Sequence, residues 1–176
     1  MNPFKEYTIS FTGLKAGLSH YDYLIEHSFF RLFEHSAIKE ARIWVNLDLT
    51  KESRMLILDF NTKGTVCVPC DLCTEYFHLP IQGKNRLIIQ FGNESYENTD
   101  EIIVLTKDTS EVNIAQYIYE YIHLLVPHKI IHSMGTSGDN KCDKKTLGVL
   151  NKLRHASKSS ENPDPRWEAL RKLSKT

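Results

Sequence analysis

From residue 39 onward, apolar and polar side chains alternate with a period of two. In residues 39–50, Ala41, Ile43, Val45, Leu47 and Leu49 share one face, with Arg42, Asn46 and Asp48 on the other. That pattern predicts a half-buried strand. Residues 54–61 predict the next strand, with Lys51-Glu52-Ser53 as the turn between them. Residues 64–68 form a further short strand, ending in a cysteine-containing turn. Residues 76–91 read as one long strand bent around Pro80 and Gly83, and residues 102–105 as a last short one. Upstream, residues 4–12 (Phe4, Tyr7, Ile9, Phe11) and residues 21–25 predict two more strands, with loops at Gly13 and Gly17 between them. Residues 26–35 read as a short helix or turn carrying Phe29, Phe30, Leu32 and Phe33.

The period then changes to that of a helix. Ile114, Ile118, Tyr121, Ile122 and Leu125 form one apolar stripe. Asn113 is placed to cap it, with Gln116 as a capping-box partner, and Pro127 stops it. Residues 132–141 are a polar, glycine-containing loop. Asp143 caps a second helix, with Leu147, Leu150 and Leu153 expected inward. Asp164-Pro165 starts a third, with Asp at the cap and Pro at the first turn, leading to Trp167, Leu170 and Leu173. Strands first and helices last predict an α+β fold. The expected architecture is an antiparallel sheet of about five to seven strands in the N-terminal two-thirds, with helices concentrated in the C-terminal third. The expected organisation is one domain over residues 1–156 and a short linker at 157–163. A basic helix over 164–176 then packs on or beside the domain.

Length and composition agree with one folded domain: 176 residues, of which 41% are hydrophobic. No apolar run approaches the ~20 residues of a membrane helix. Residues 1–10 lack the apolar core of a secretory signal, so a cytoplasmic location is expected. The net charge is zero but unevenly spread. Residues 141–176 hold ten Lys and Arg against four Asp and Glu, a surplus of six that the rest of the chain offsets. A basic end on an acidic body suits an anionic partner; a solvated, lysine-rich helix is the plainer reading.

Four cysteines are present: Cys67, Cys70, Cys73 and Cys142. In a reduced compartment, close-set cysteines suggest metal binding or redox chemistry rather than disulfides. Two residues between Cys70 and Cys73 let both sulfurs point at one tetrahedral ion. A closed site needs two more ligands, and Cys142 with His128 or His132 are the candidates after the long helix. The set Cys70, Cys73, His132 and Cys142 would make a Cys₃His site for one structural zinc ion. A thiol-disulfide oxidoreductase is the alternative, but such pairs sit at a helix N-terminus, and residues 74–79 alternate like a strand. An empty turn of two reduced cysteines is the third reading. Strand alternation turns Cys67 away from this set, and His20, His27, His35 and His78 are scattered.

No serine elbow, phosphate loop or dinucleotide glycine pattern occurs, no paired carboxylates suggest a catalytic face, and Glu94 to Glu101 reads as solvated loop. The sequence makes no positive case for an enzyme. Lys144, Lys145, Lys152 and Arg154 on the second helix, and Arg166, Arg171 and Lys172 on the third, are candidates for phosphate contacts that neutralise without reading bases.

These parts together resemble a known family. Gly64-Thr65-Val66-Cys67-Val68-Pro69-Cys70-Asp71-Leu72-Cys73 is similar to the Cys-Asp-Arg-Cys signature of the YceD family, the large ribosomal RNA subunit accumulation proteins. Ile118 to Leu124 followed by Val126-Pro127 looks like that family's helix end, and Asp164-Pro165-Arg166-Trp167-Glu168-Ala169-Leu170 its C-terminal motif. The resemblance covers residues 4–173. It implies a non-enzymatic factor for accumulation or processing of large-subunit rRNA, or for ribosome assembly. The implied partners are that rRNA, a pre-ribosomal particle or a ribosomal protein. Two features depart from the pattern: Leu72 replaces the usual basic residue, and Cys142 stands alone where many members carry a second cysteine cluster. A zinc-stabilised protein-interaction domain is the further alternative.

Overall fold

A computed structural model describes residues 4–34, 36–92, 102–106, 108–134 and 142–158, without the side chains of 134 and 154–158. After a 3₁₀ turn at Lys5–Tyr7 come β1 (Thr8–Ser10), β2 (Gly17–Glu26), a four-residue helix α1 (His27–Phe30), β3 (Glu40–Lys51), β4 (Met55–Pro69), β5 (Tyr76–Phe91), β6 (Ile102–Leu105), β7 (Glu111–Asn113), α2 (Ala115–Leu125), a second 3₁₀ turn at His132–Met134 and α3 (Lys144–Lys158). The class is α+β. Five strands form one sheet in the order β2-β3-β4-β5-β6, and β1 pairs with β7 in a two-stranded ribbon.

The large sheet is mixed, which corrects the expectation of a purely antiparallel one. β2 to β5 are antiparallel neighbours, but β6 runs parallel to β5, with Ile88 beside Ile102 and Phe91 beside Leu105. Parallel neighbours are joined by a crossover in place of a tight hairpin. The expected Glu94 to Glu101 loop lies outside the described residues, as do His35, residues 135–141, residues 159–163 of the expected linker and the helix expected over 164–176. α3 runs on to Lys158, two residues into that linker.

β4 is one strand of fifteen residues rather than two. The polar stretch Asn61-Thr62-Lys63-Gly64 looks like a break in isolation. Pairing with β3 on one side and β5 on the other holds it extended without interruption. Gly64 also lies so close to the backbone at Arg42 and Ile43 that a Cβ there would collide with it. Pro80 is tolerated in β5 because β6 covers only the last four residues of that strand, and among the described residues no strand pairs with Pro80 on that side.

One face of the sheet is the core. Ile43, Val45, Leu47, Leu49, Leu56, Leu58, Phe60, Leu79, Leu87 and Ile89 are almost fully buried on it. Each such side chain contributes roughly 1.5–3 kcal/mol relative to exposure. α2 lies across this face, with Tyr121 against Phe60 and Leu125 over Gly83. The β1–β7 ribbon and the aromatic group Tyr7, Phe29 and Phe30 complete the covering layer. Asn113 caps α2, its Oδ1 accepting from the Ala115 N–H at 3.0 Å, while its Nδ2 donates to Phe4 O and Thr8 Oγ1. Gln116 instead donates to Glu120, so there is no capping box. Asp143 caps α3 as expected, accepting from the amides of Lys145 and Thr146. Its helix does not bury the expected stripe: Leu150 is exposed, and Val149 and Leu153 are 57% and 62% exposed. Among the described residues no helix is long and apolar enough to cross a membrane.

Candidate metal centre

The connection from β4 to β5 is a six-residue hairpin loop, Cys70 to Glu75. The Cys70 N–H donates to Glu75 O at 2.9 Å, and the Thr74 N–H to Cys70 O at 2.8 Å. Closing the loop this tightly needs a left-handed residue, and Thr74 takes φ 63°. Such a conformation is strained for a β-branched side chain. Its hydroxyl donates to Cys73 O at 2.6 Å, which holds it in place. The geometry buries Cys70 and Cys73 and turns the Leu72 N–H onto the Cys70 sulfur at 3.4 Å.

A second segment docks on this knuckle. The Asp71 N–H donates to Ile130 O at 2.8 Å, and the Ile130 N–H donates to Asp71 Oδ2 at 2.6 Å. That pair of bonds fixes the chain after α2, so the following 3₁₀ turn brings His132 over the cysteines. Phe77, the first inward residue of β5, stacks on the imidazole with centroids 4.7 Å apart. Cys142 supplies the remaining corner.

Cys70, Cys73, His132 and Cys142 place their ligand atoms all within 4.8 Å of one another. Cys70 Sγ stands 3.8 Å from Cys142 Sγ. His132 Nδ1 stands 3.5 Å from Cys73 Sγ and 3.6 Å from Cys142 Sγ. A tetrahedral zinc ion with bonds of about 2.3 Å to sulfur and about 2.05 Å to nitrogen would set its ligands about 3.8 Å apart for two sulfurs and about 3.6 Å apart for sulfur and nitrogen. These three separations match those edges. Thiolates with one imidazole are also the donor set that suits zinc over the hard cations.

The electrostatics point the same way. Burial disfavours the Cys70 thiolate, but the amides of Leu72 and Cys73 and the His132 side chain outweigh it and bring the thiol down to about 6. Burial and the neighbouring sulfurs of Cys70 and Cys73 push Cys142 up to about 11. Sulfurs packed this closely resist joint ionisation unless a cation sits among them.

These four residues are the set the sequence suggested. His128 is exposed and stands apart from them. Cys67 faces outward on β4, opposite Glu40 and His78, and burial with the Glu40 charge raises its thiol. Asp71 and Phe77 were not singled out. Phe77 has a readable inward period, but its partner His132 is distant in sequence. Of the suggested phosphate-binding residues, Lys144, Lys145 and Lys152 are exposed on α3. Arg154 lies on α3 with its side chain outside the described residues, and Arg166, Arg171 and Lys172 lie outside them altogether.

A sheet whose central hairpin ends in a Cys₃His cluster defines a class of α+β protein with a candidate four-ligand metal site. Within that class, the chain belongs to the large ribosomal RNA subunit accumulation protein YceD family, whose pattern matches residues 58–174, well over half of its length. The match begins inside β4, so β1 to β3 precede it. No curated protein and no solved structure matches the chain.

Proposed function

We propose that this protein supports accumulation of large-subunit ribosomal RNA without catalysing a reaction, by binding RNA or a pre-ribosomal particle through the basic start of α3. One observation carries the reading: Cys142, the fourth corner of the cluster, directly precedes the Asp143 cap of α3. Ligation at Cys142 fixes where Lys144 and Lys145 leave the domain. The family membership names the process, and the exposed lysines supply the chemistry that a phosphate backbone recognises. In this reading Cys70, Cys73, His132 and Cys142 hold one zinc ion. The ion cross-links the β4–β5 hairpin to the C-terminal segment and neutralises the thiolates.

The test has two arms. Metal analysis of untagged protein is expected to give about one zinc per chain, with Cys142→Ser losing most of it and melting at lower temperature. Sucrose-gradient fractionation of cells is expected to place the protein with pre-large-subunit particles. A protein that never sediments with such particles, and whose loss leaves rRNA levels unchanged, does not have this function.

A second reading, thiol-disulfide exchange by Cys70 and Cys73, draws on the lowered Cys70 thiol. The pair sits in a hairpin rather than at a helix N-terminus, and the same amide contacts equally prepare a thiolate for metal. Turnover of a dithiol substrate, abolished by Cys70→Ser, would favour this reading over the first.

A further inference from the structure

β2 forms an edge of the large sheet. Its ten residues pair with β3 without a break, from Gly17 beside Lys51 to Glu26 beside Arg42, and among the described residues no strand lies on its other side. Long free edges recruit further strands, and proteins guard them with lysine, proline, bulges or shortness. Elsewhere in the sheet, β6 has four residues, and the part of β5 with no second strand neighbour among the described residues carries Pro80. β2 has no lysine, arginine, proline or bulge.

The outward face of β2 reads Leu18, His20, Asp22, Leu24, an apolar, basic, acidic, apolar series. Leu18 is 58% and Leu24 37% exposed. A two-fold axis normal to the sheet at Tyr21 would set Leu18 opposite Leu24 of a second copy and His20 opposite Asp22 of that copy, each pair occurring twice. Moving the axis to position 22 would put Asp22 on Asp22, and moving it to position 20 would put His20 on His20. One register therefore sets imidazole opposite carboxylate and leucine opposite leucine, and side chains keep to their own face because the pleat repeats every two residues. Both polar side chains are already held in place: His20 Nδ1 contacts Asp48 Oδ1, and Asn46 Nδ2 donates to Asp22 Oδ1. Leu24 also lies beside the exposed Trp44 on β3, so Leu18 of the second copy would extend an apolar strip that each chain alone leaves in water.

We propose that β2 is the seam of a homodimer, in which two copies pair antiparallel about Tyr21 and join their five-stranded sheets into one. The interface is isologous and closes on itself, so it gives a dimer rather than a fibre.

Sedimentation equilibrium of the full chain tests this with two variants, Leu18→Lys/Leu24→Lys and Leu18→Glu/Leu24→Glu. Both positions are on the exposed face, so the melting transition should survive. Wild type is expected to dimerise in the micromolar range. Each variant alone sets like charges opposite one another and is expected to self-associate at least about tenfold more weakly. Mixing the two sets every Lys against a Glu and is expected to restore the dimer. Wild type that stays monomeric, variants that dimerise as tightly as wild type, or a mixture that fails to recover each overturn the proposal. So does a monomer whose β2 captures a strand of another protein. Hydrogen exchange on wild type gives a reading free of mutation: β2 amides should lose protection on dilution, and exchange independent of concentration contradicts the seam.

Discussion

At the scale of single residues, the chemistry gathers in one small cluster, and its supports matter as much as its corners. Asp71 makes no ligand contact, yet its backbone and side chain both bind Ile130 and so place His132. Asp71→Ala is expected to weaken zinc binding by about 10–100-fold while leaving all four ligands in place. Competition with a chromophoric chelator measures that. Cys67→Ser is the control: it lies outside the cluster, and zinc affinity should not move. The four ligands were legible in the sequence because cysteine is scarce here and two stand at knuckle spacing. His132 was placed in that set with His128 still a candidate, since both lie beyond α2, and the docking of Ile130 on Asp71 is what brings His132 to the cysteines.

At the scale of elements, local signals did well where an element stands by itself and poorly where neighbours decide. β5 and β6 have the bounds that alternation predicted. β4 does not, because Thr62-Lys63 reads as a break until β3 and β5 hold it from both sides. Gly64→Ala is expected to destabilise the fold by about 1–3 kcal/mol through its clash with the β3 backbone, seen as an earlier midpoint in denaturant. Asn113 ends β7 and caps α2 at once, and it ties both to the N-terminus through Phe4 and Thr8. Asn113→Ala should cost about 1 kcal/mol, typical of a lost cap, and a thermal melt resolves it. The stripe on α3 shows the opposite failure. Leucines at helical spacing predicted an inward face, but Leu150 and Leu153 are exposed, because helical spacing sets which residues share a face and not whether a neighbour covers it.

At the scale of the whole molecule, the candidate metal cluster and the basic start of α3 meet at Cys142. The cluster fixes the start of α3, and the exposed lysines follow from there. If α3 contacts RNA phosphates, Lys144→Ala/Lys145→Ala/Lys152→Ala should weaken binding about equally for unrelated sequences. The dependence of log affinity on log salt should also become shallower by about 2–3, near one unit per lost contact. Binding titrations at several salt concentrations give both quantities. The sequence by itself determined the α+β class, most strands of the sheet, the helix caps at Asn113 and Asp143 and the identity of the four clustered residues. Each of these rests on local periodicity, on hydrogen bonds between near neighbours or on the scarcity of a residue type. Tertiary structure alone decided the parallel course of β6, the unbroken β4, the exposed face of α3, the place of β2 at the end of the described sheet and the meeting of the four Cys₃His residues. These depend on which distant segments meet, and contacts between segments far apart in the chain leave no periodic trace within either one.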